Sequence, residues 1–236
     1  MKKVVFVIPM YNAERHVPEL ISSLKEQKNN NWEAVFIDDM SNDNSFEMVN
    51  ICKESDKRIT VIKNKEKKWA LRNVIEVSRK FQNKDDVIIA NLDADDSLCN
   101  ENTVDLLLKN YEEDTDAVWT AHSWDINGMN ISKALPEKIN PYQYPWCSSH
   151  LKTFRASILK KIPDSNFKNL DGEWFKRGYD QALYLPILFL SRKRKFLDEV
   201  CYLYRINSAS IKVRDWNEKM QMDTVRLVRA RGFMND

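Results

Sequence analysis

The stretch "VIIANLDADDSL" (87–98) runs from an apolar segment into three aspartates, Asp93, Asp95 and Asp96. Carboxylates this close repel unless a proton, water or a cation intervenes. Asp93 and Asp95 are two apart, so on an extended backbone both project to the same side. The cluster offers only oxygen ligands, with no Cys or His group beside it, which favours Mg2+ or Mn2+ over zinc. A Mg2+ site of this kind keeps waters and shares the metal with substrate phosphates. The plainer reading is a solvated acidic turn in which Asp96 or Ser97 caps the next helix. An EF-hand is excluded, because loops counted from Asp39 or Asp93 end on Asn50 or Val104 where a bidentate glutamate is needed.

The elements that would position these groups alternate. "KVVFVIP", "WEAVFIDD", "RITVIKN" and "DVIIANLDADD" read as buried strands. Helical spacing separates them, with Val17, Leu20, Ile21 and Leu24 inward, then Phe46, Val49 and Ile51 or Cys52, then Leu71, Val74, Ile75 and Phe81. This βαβαβαβ pattern predicts an α/β fold with a mostly parallel central sheet and helices on both faces. Ligands of such sheets gather beyond the strands' carboxyl ends. There lie "PMYN" (9–12), "DDMSNDN" (38–44), "NKEKKWALRN" (64–73) and "DADD" (93–96), on one rim.

The second half is less regular. "TVDLLLKNY" predicts a helix and "DAVWTAH" a strand; residues 125–148 read as loops. "KTFRASILKKI" is a strand or helix edge, and "DQALYLPILFL" a buried helix that Pro186 kinks or starts late. "RKFLDEVCYLYRI" is two short strands or one bent one, and the last segment is an amphipathic helix.

With 236 residues and 43% hydrophobic content, the chain suits one compact domain. The net charge of +2 singles out no acidic partner, so a basic surface would need clustering. Four glycines exclude a glycine-rich phosphate loop, and four scattered cysteines exclude a CxxC zinc or disulfide framework. The opening "MKKVVFVIPMYN" is too short in its apolar run for a signal peptide, and no window predicts a membrane span. A soluble, cytoplasmic protein is expected.

Taken in order and spacing, "VIPMYN", "IDDMSND", "WALRN" and "NLDADD" resemble the family 2 glycosyltransferases, inverting enzymes of GT-A (Rossmann-like) fold that use nucleotide sugars. The resemblance covers about the first 100 residues well and the rest loosely. It implies a nucleotide-sugar-binding half (1–100) and an irregular acceptor-binding and catalytic half (101–236). It implies that Pro9, Tyr11 and Asn12 border a uracil, that Asp39 (ahead of Asp38) contacts the base, and that Arg72, with Asn73, lines the nucleotide site. Asp93 and Asp95 would hold metal and ribose, with Asp96 nearby. The family has glycine where Trp69 stands here. Its "ED" pair matches "RGYDQALYL", which implies Asp180 as catalytic base ahead of Asp171 and Glu173, with Tyr179 in the glutamate's place. The terminal "YR.H..S" becomes "YRINSAS", with Asn207 for the histidine. His150 falls where acceptor or diphosphate is met.

The donor implied is a UDP-sugar, with Mn2+ or Mg2+. The chain's economy also resembles phage enzymes that glycosylate hydroxymethylated cytosine in DNA. The basic clusters "KNKEKK" (63–68), "SRKRK" (191–195) and "RLVRARGF" (226–233) would track phosphates of double-stranded DNA. The reading leans to that acceptor. A cell-surface or lipid-linked glycan is the alternative, and a non-catalytic nucleotide-sugar-binding protein the third.

Overall fold

The structure is a computed structural model and describes residues 2–206 and 214–235. The four apolar runs form β1 (Lys3–Met10), β2 (Trp32–Asp38), β3 (Ile59–Lys63) and β4 (Val87–Asn91). Helices α1 (Val17–Lys25), α2 (Ser45–Ser55) and α3 (Trp69–Arg79) connect them. β1 reads as an unbroken apolar run because both of its alternating side-chain sets are inside. Val5 and Val7 face a core shared with Leu71, Val74 and Ile75; Val4, Phe6 and Ile8 face another shared with Val17, Leu20 and Leu24. Each such fully buried side chain contributes about 1.5–3 kcal/mol. On α2, Val49 is buried and, of the two expected alternatives, Cys52 packs against the same core while Ile51 is 70% exposed. Two residues turn the helix by about 200°, which carries Ile51 off the stripe that Val49 defines.

β1 to β4 pair in parallel in the order β3-β2-β1-β4. Met10 sits opposite Asp38, and Asp38 opposite Lys63, so the carboxyl ends do form one rim. From β1 the chain steps outward to β2 and β3 on one side, then returns past β1 to β4 on the other, and this reversal opens a crevice at the ends of β1 and β4.

The second half adds β5 (Ser97–Leu98), α4 (Thr103–Asn110), β6 (Thr115–Trp124), β7 (Lys152–Arg155), α5 (Tyr179–Leu190), β8 (Lys193–Tyr204) and α6 (Arg214–Arg231). These extend the same sheet to eight strands, β3-β2-β1-β4-β7-β6-β8-β5. The α/β class and the helices on both faces are as expected. The new pairings are antiparallel for β4–β7, β6–β7 and β5–β8, and parallel for β6–β8. The sheet is therefore parallel in its first half and mixed in its second. β7 follows a long irregular segment and needs no crossover helix, so it can enter in the opposite direction.

"KTFRASILKKI" is both strand and helix edge: β7 followed by a 3-10 turn, Ala156–Lys161. "RKFLDEVCYLYRI" is one bent strand, with register shifts against β6 around Ala121. Pro186 lies inside α5, where every residue from Ala182 to Leu188 is buried; that packing outweighs the proline's cost of about 3 kcal/mol. No helix among the described residues is long and apolar enough to cross a membrane.

Candidate active site

The loops that leave β1, β2 and β3 each pass through a left-handed residue: Asn12 (φ 51°), Met40 (φ 66°) and Trp69 (φ 64°). Non-glycine residues rarely adopt this backbone, so something must hold it. For Trp69 that is Asp39. Its Oδ1 accepts from Asn64 Nδ2 and from Lys68 N, both at 2.8 Å, and its Oδ2 from Trp69 N at 2.9 Å. Lys67 Nζ donates to the Asp39 carbonyl at 3.0 Å. Burial pushes the Asp39 carboxyl up, but the donors from Lys68, Asn64, Asn73 and Trp69 outweigh it and hold it below its ordinary value. Trp69 thus keeps the backbone of the glycine expected at its position while presenting a large ring.

Beneath this loop lies a cleft of about 380 Å³. Pro9, Tyr11, Asp39, Trp69 and Asn73 line it, together with Arg177, Tyr179 and Asp180 from the start of α5. Lys67, Lys176 and Arg177 bring positive charge to it. Lys67 Nζ stands over the Tyr11 ring, and the Arg177 guanidinium lies 5.3 Å from a Trp69 ring centroid. Arg177 Nε is buried with no hydrogen-bond partner among the described residues. Cations crowded around a cleft of this shape suit a phosphorylated ligand.

β4 ends at Asn91, and Asp93–Asp96 form a tight turn closed by Asp96 N donating to Asp93 O at 3.2 Å. The backbone has left extended geometry, so the alternation that paired Asp93 with Asp95 no longer applies. One ligand atom each from Asp93, Asp96 and His150 lies within 4.8 Å of the others; Asp95 is half-buried on the turn. Asp96 starts no helix, since α4 begins at Thr103. Instead its carboxylate accepts from Tyr202 Oη at 2.6 Å and Arg205 N at 2.7 Å, which ties the turn to β8. Burial, with the charges of Asp95 and Asp93 adding to it, raises the Asp96 pKa to about 8. Asp93 is raised to about 7 by burial; Lys152 opposes this, and Asp180 and Asp95 add to it. The Tyr179 hydroxyl donates to Asp93 Oδ1. Carboxylates packed until they retain protons are a donor set that an oxygen-seeking divalent cation relieves, so these residues fit Mg2+ or Mn2+.

Asp180 lies in the first turn of α5, whose N-terminus favours a negative charge. Gly178 precedes it at φ 68°, where a Cβ would meet the Gln221 carbonyl of α6 at 2.9 Å. Glycine there satisfies both the backbone and the close helix contact, so Asp180 is not the cap. Lys152 of β7 is 0% exposed; its Nζ donates to Asp180 Oδ1 at 2.6 Å and to His150 Nδ1 at 3.2 Å. Burial would raise the Asp180 pKa, but the Lys152 ammonium foremost outweighs it, so Asp180 is a carboxylate at neutral pH. Burial and Lys152 push His150 well below its ordinary value, so its ring is neutral.

Other expected residues are not brought to the cleft. Arg72 pairs with Glu76 at 2.7 Å and Glu66 at 3.5 Å. Asn12 bridges the first two loops, donating to Ser41 Oγ and accepting from Asn42 N. Asp38 is fully buried outside the cleft lining. Asp171 and Glu173 lie in an exposed turn. Asn207 lies outside the described residues. Of the basic clusters, Arg192 and Lys193 pair with Asp116 and Glu112. Arg194 donates to the carbonyls of Glu137 and Ile139, Arg229 to those of Tyr142 and Tyr144, and Arg231 to that of Asn166.

Sequence reasoning missed Lys152, Arg177 and Tyr202. A lysine between Leu151 and Thr153 in a strand was a signal, since only a buried partner justifies an inward ammonium. Arg177, three residues before Asp180, stood in plain view beside the expected base.

Comparison with known proteins gives one direction. Residues 5–179 match the glycosyl transferase family 2 profile. The chain is 32% identical over 232 residues to WfgD of Escherichia coli, a UDP-Glc:alpha-D-GlcNAc-diphosphoundecaprenol beta-1,3-glucosyltransferase, covering 94% of this chain and 85% of that one. The fold is similar to Staphylococcus aureus TarS 1–349 in complex with UDP-GlcNAc, with a TM-score of 0.66 at 18% identity; the match covers 88% of this chain and 59% of that one. It is also similar to the mannosyltransferase PcManGT of Pyrobaculum calidifontis in complex with GDP-Man and Mn2+, with a TM-score of 0.68 at 14% identity over 99% of this chain and 66% of that one.

Proposed function

The chain belongs to glycosyl transferase family 2, and on that footing we propose that this glycosyltransferase moves a sugar from a UDP-sugar to an acceptor hydroxyl with inversion, aided by Mn2+ or Mg2+. One observation carries the reading: Asp180, ionised by Lys152, borders the same cleft as the Asp39-held loop and the cations Lys67, Lys176 and Arg177. Tyr11 covers the base at the outer end of the cleft. Lys67, Lys176 and Arg177 hold the diphosphate. Asp180 takes the acceptor proton as the hydroxyl attacks the anomeric carbon. Lys152 keeps Asp180 charged and fixes its direction. A divalent cation bound by Asp93, with Asp95 or Asp96 beside it, would neutralise charge on the departing UDP.

The proposed acceptor is a cell-surface or lipid-linked glycan; WfgD is named for transfer to alpha-D-GlcNAc-diphosphoundecaprenol. Hydroxymethylcytosine in DNA loses part of its support, because the arginines of two basic clusters are engaged within the protein. A screen of labelled UDP-sugars with Mn2+, offering glycosides and hydroxymethylated DNA side by side, tests both. Label transferred only to DNA would reverse the preference, and no transfer or donor turnover at all would sink the enzyme assignment.

Two expected results concern the donor side. Asp39→Asn places an NH2 group against the donors of Lys68 or Trp69. A lost hydrogen bond plus a stranded donor should weaken UDP binding by at least about tenfold, measurable by calorimetry. Unchanged affinity would show that the 64–69 loop does not depend on Asp39.

The other concerns pH. Asp93 and Asp96 keep protons in the fold up to about 7 and 8, whereas unfolded aspartates release them near about pH 4. The metal-free protein therefore loses stability as pH rises through that window. A cation bound there must displace those protons. Mn2+ affinity should rise steeply from pH 6 to pH 8, by about tenfold per unit where one proton is displaced, with proton release visible in buffers of different ionisation enthalpy. A pH-independent affinity would place the ion elsewhere.

A further inference from the structure

The Lys67 ammonium occupies a surface that the donor's base would use. Its Nζ stands 2.8 Å from the Tyr11 ring centroid. Both side chains line the donor cleft, so the ring face it covers is the one turned toward that cleft. The same Nζ lies 5.7 Å from a Trp69 ring centroid. A planar base packs against an aromatic face at about 3.5–4.0 Å. An ammonium and a base cannot share that face.

The surroundings of Lys67 are tied down, and its side chain is the part free to move. Asn12 binds the Tyr11 loop to Ser41 and Asn42. Asp39 pins the backbone next to Lys67, at Lys68 N and Trp69 N. Lys67 carries its charge on a flexible four-carbon stem. Its Nζ donates to the Asp39 carbonyl at 3.0 Å and stands 3.7 Å from Asp39 Oδ2. An ammonium has three donors, so it can take further acceptors. Burial pushes the Lys67 pKa below its ordinary value; Asp39 opposes this, and the charge of Arg177 adds to it. Cations held this close are relieved by a shared anion, and a diphosphate is the anion that a nucleotide sugar brings.

We propose that Lys67 is a specificity-determining residue: base and ammonium compete for the Tyr11 face, so a ligand gains that face only if it also carries a diphosphate to receive the ammonium. A nucleoside takes Lys67 off the ring and gives it nothing in exchange. A nucleoside diphosphate takes it off the ring and accepts charge-assisted hydrogen bonds from it, which are stronger than the ring contact given up. Lys67 thereby makes base binding conditional on the diphosphate. The inference rests on the nucleotide-sugar reading of the cleft and adds how the site tells its donor from a nucleoside.

The test uses the full chain with Mg2+ present throughout. Uridine and UDP are titrated separately into the unaltered protein and into Lys67→Ala, with ligand-observed NMR to reach weak affinities. Lys67→Ala should bind uridine about fivefold more tightly, the worth of a ring contact that no longer has to be broken. It should bind UDP about tenfold more weakly, the worth of a lost charge-assisted hydrogen bond. A purely structural role for Lys67 would weaken both ligands. Should Lys67→Ala fail to fold, the unaltered protein gives a second measurement: saturating inorganic pyrophosphate should draw the ammonium off the ring and tighten uridine by the same factor of about five. Uridine bound no more tightly in Lys67→Ala, or unaffected by pyrophosphate, would overturn the proposal. UDP affinity unchanged in Lys67→Ala would overturn it too. Failure of the unaltered protein to bind UDP would sink the donor reading, and the inference with it.

Discussion

Asp180→Asn is expected to leave UDP binding intact and to lower sugar transfer by about 10²- to 10⁴-fold, the range for losing a general base. The substitution preserves shape, and its amide oxygen can still accept from Lys152 Nζ, now 2.6 Å from Asp180 Oδ1. What it removes is the place for the acceptor's proton. Asp180 is suited to that task because its surroundings keep it charged while it faces the cleft, where its side chain is 34% exposed. Asp171 and Glu173, the rivals by sequence, lie in an exposed turn. The check is kcat at saturating donor beside a UDP titration. Near-normal turnover would move the base elsewhere.

Lys152→Met is expected to harm both turnover and stability. Lys152 is fully buried, and methionine fills much the same volume. The substitution strips Asp180 of the first of the charges that hold its pKa down. Its pKa should rise, and the activity lost at neutral pH should return in part on the alkaline side. Breaking a sealed ion pair costs about 3–5 kcal/mol, but Asp180 faces the cleft and water screens it, so about 2 kcal/mol is expected. Lys152→Met combined with Asp180→Asn should regain most of that stability without regaining turnover, because no uncompensated charge is left. Urea unfolding of the four proteins gives the coupling directly. A strictly additive cycle would mean that the pair does not act as a unit.

The donor rim was legible in the sequence because parallel strands end together. Once "KVVFVIP", "WEAVFIDD" and "RITVIKN" are strands, Met10, Asp38 and Lys63 must fall in line, and they do. Asp180 was singled out only by the resemblance of "RGYDQALYL" to the family's "ED" pair ahead of a helix. The acidic turn was only half legible. Counting two residues from Asp93 to Asp95 assumes an extended chain, whereas the backbone turns there and brings in Asp96 through Tyr202 and Arg205. Those partners lie more than a hundred residues away, beyond any local pattern. Lys152 was hidden for a similar reason. Its role depends on β7 pairing antiparallel with β4, a register that no short-range spacing encodes. Trp69 is the converse case: a glycine's backbone is kept without glycine, because Asp39 holds it from outside the local segment.

The most direct test of the central claim is the anomeric configuration of the first sugar released. UDP-α-sugar is incubated with the protein and Mn2+, and the anomeric proton signals are followed by NMR before mutarotation. Direct displacement assisted by Asp180 predicts the β-configured product first, whether water or a glycoside accepts the sugar, and its loss in Asp180→Asn. An α-configured first product, or β product formed equally fast by Asp180→Asn, would contradict the account.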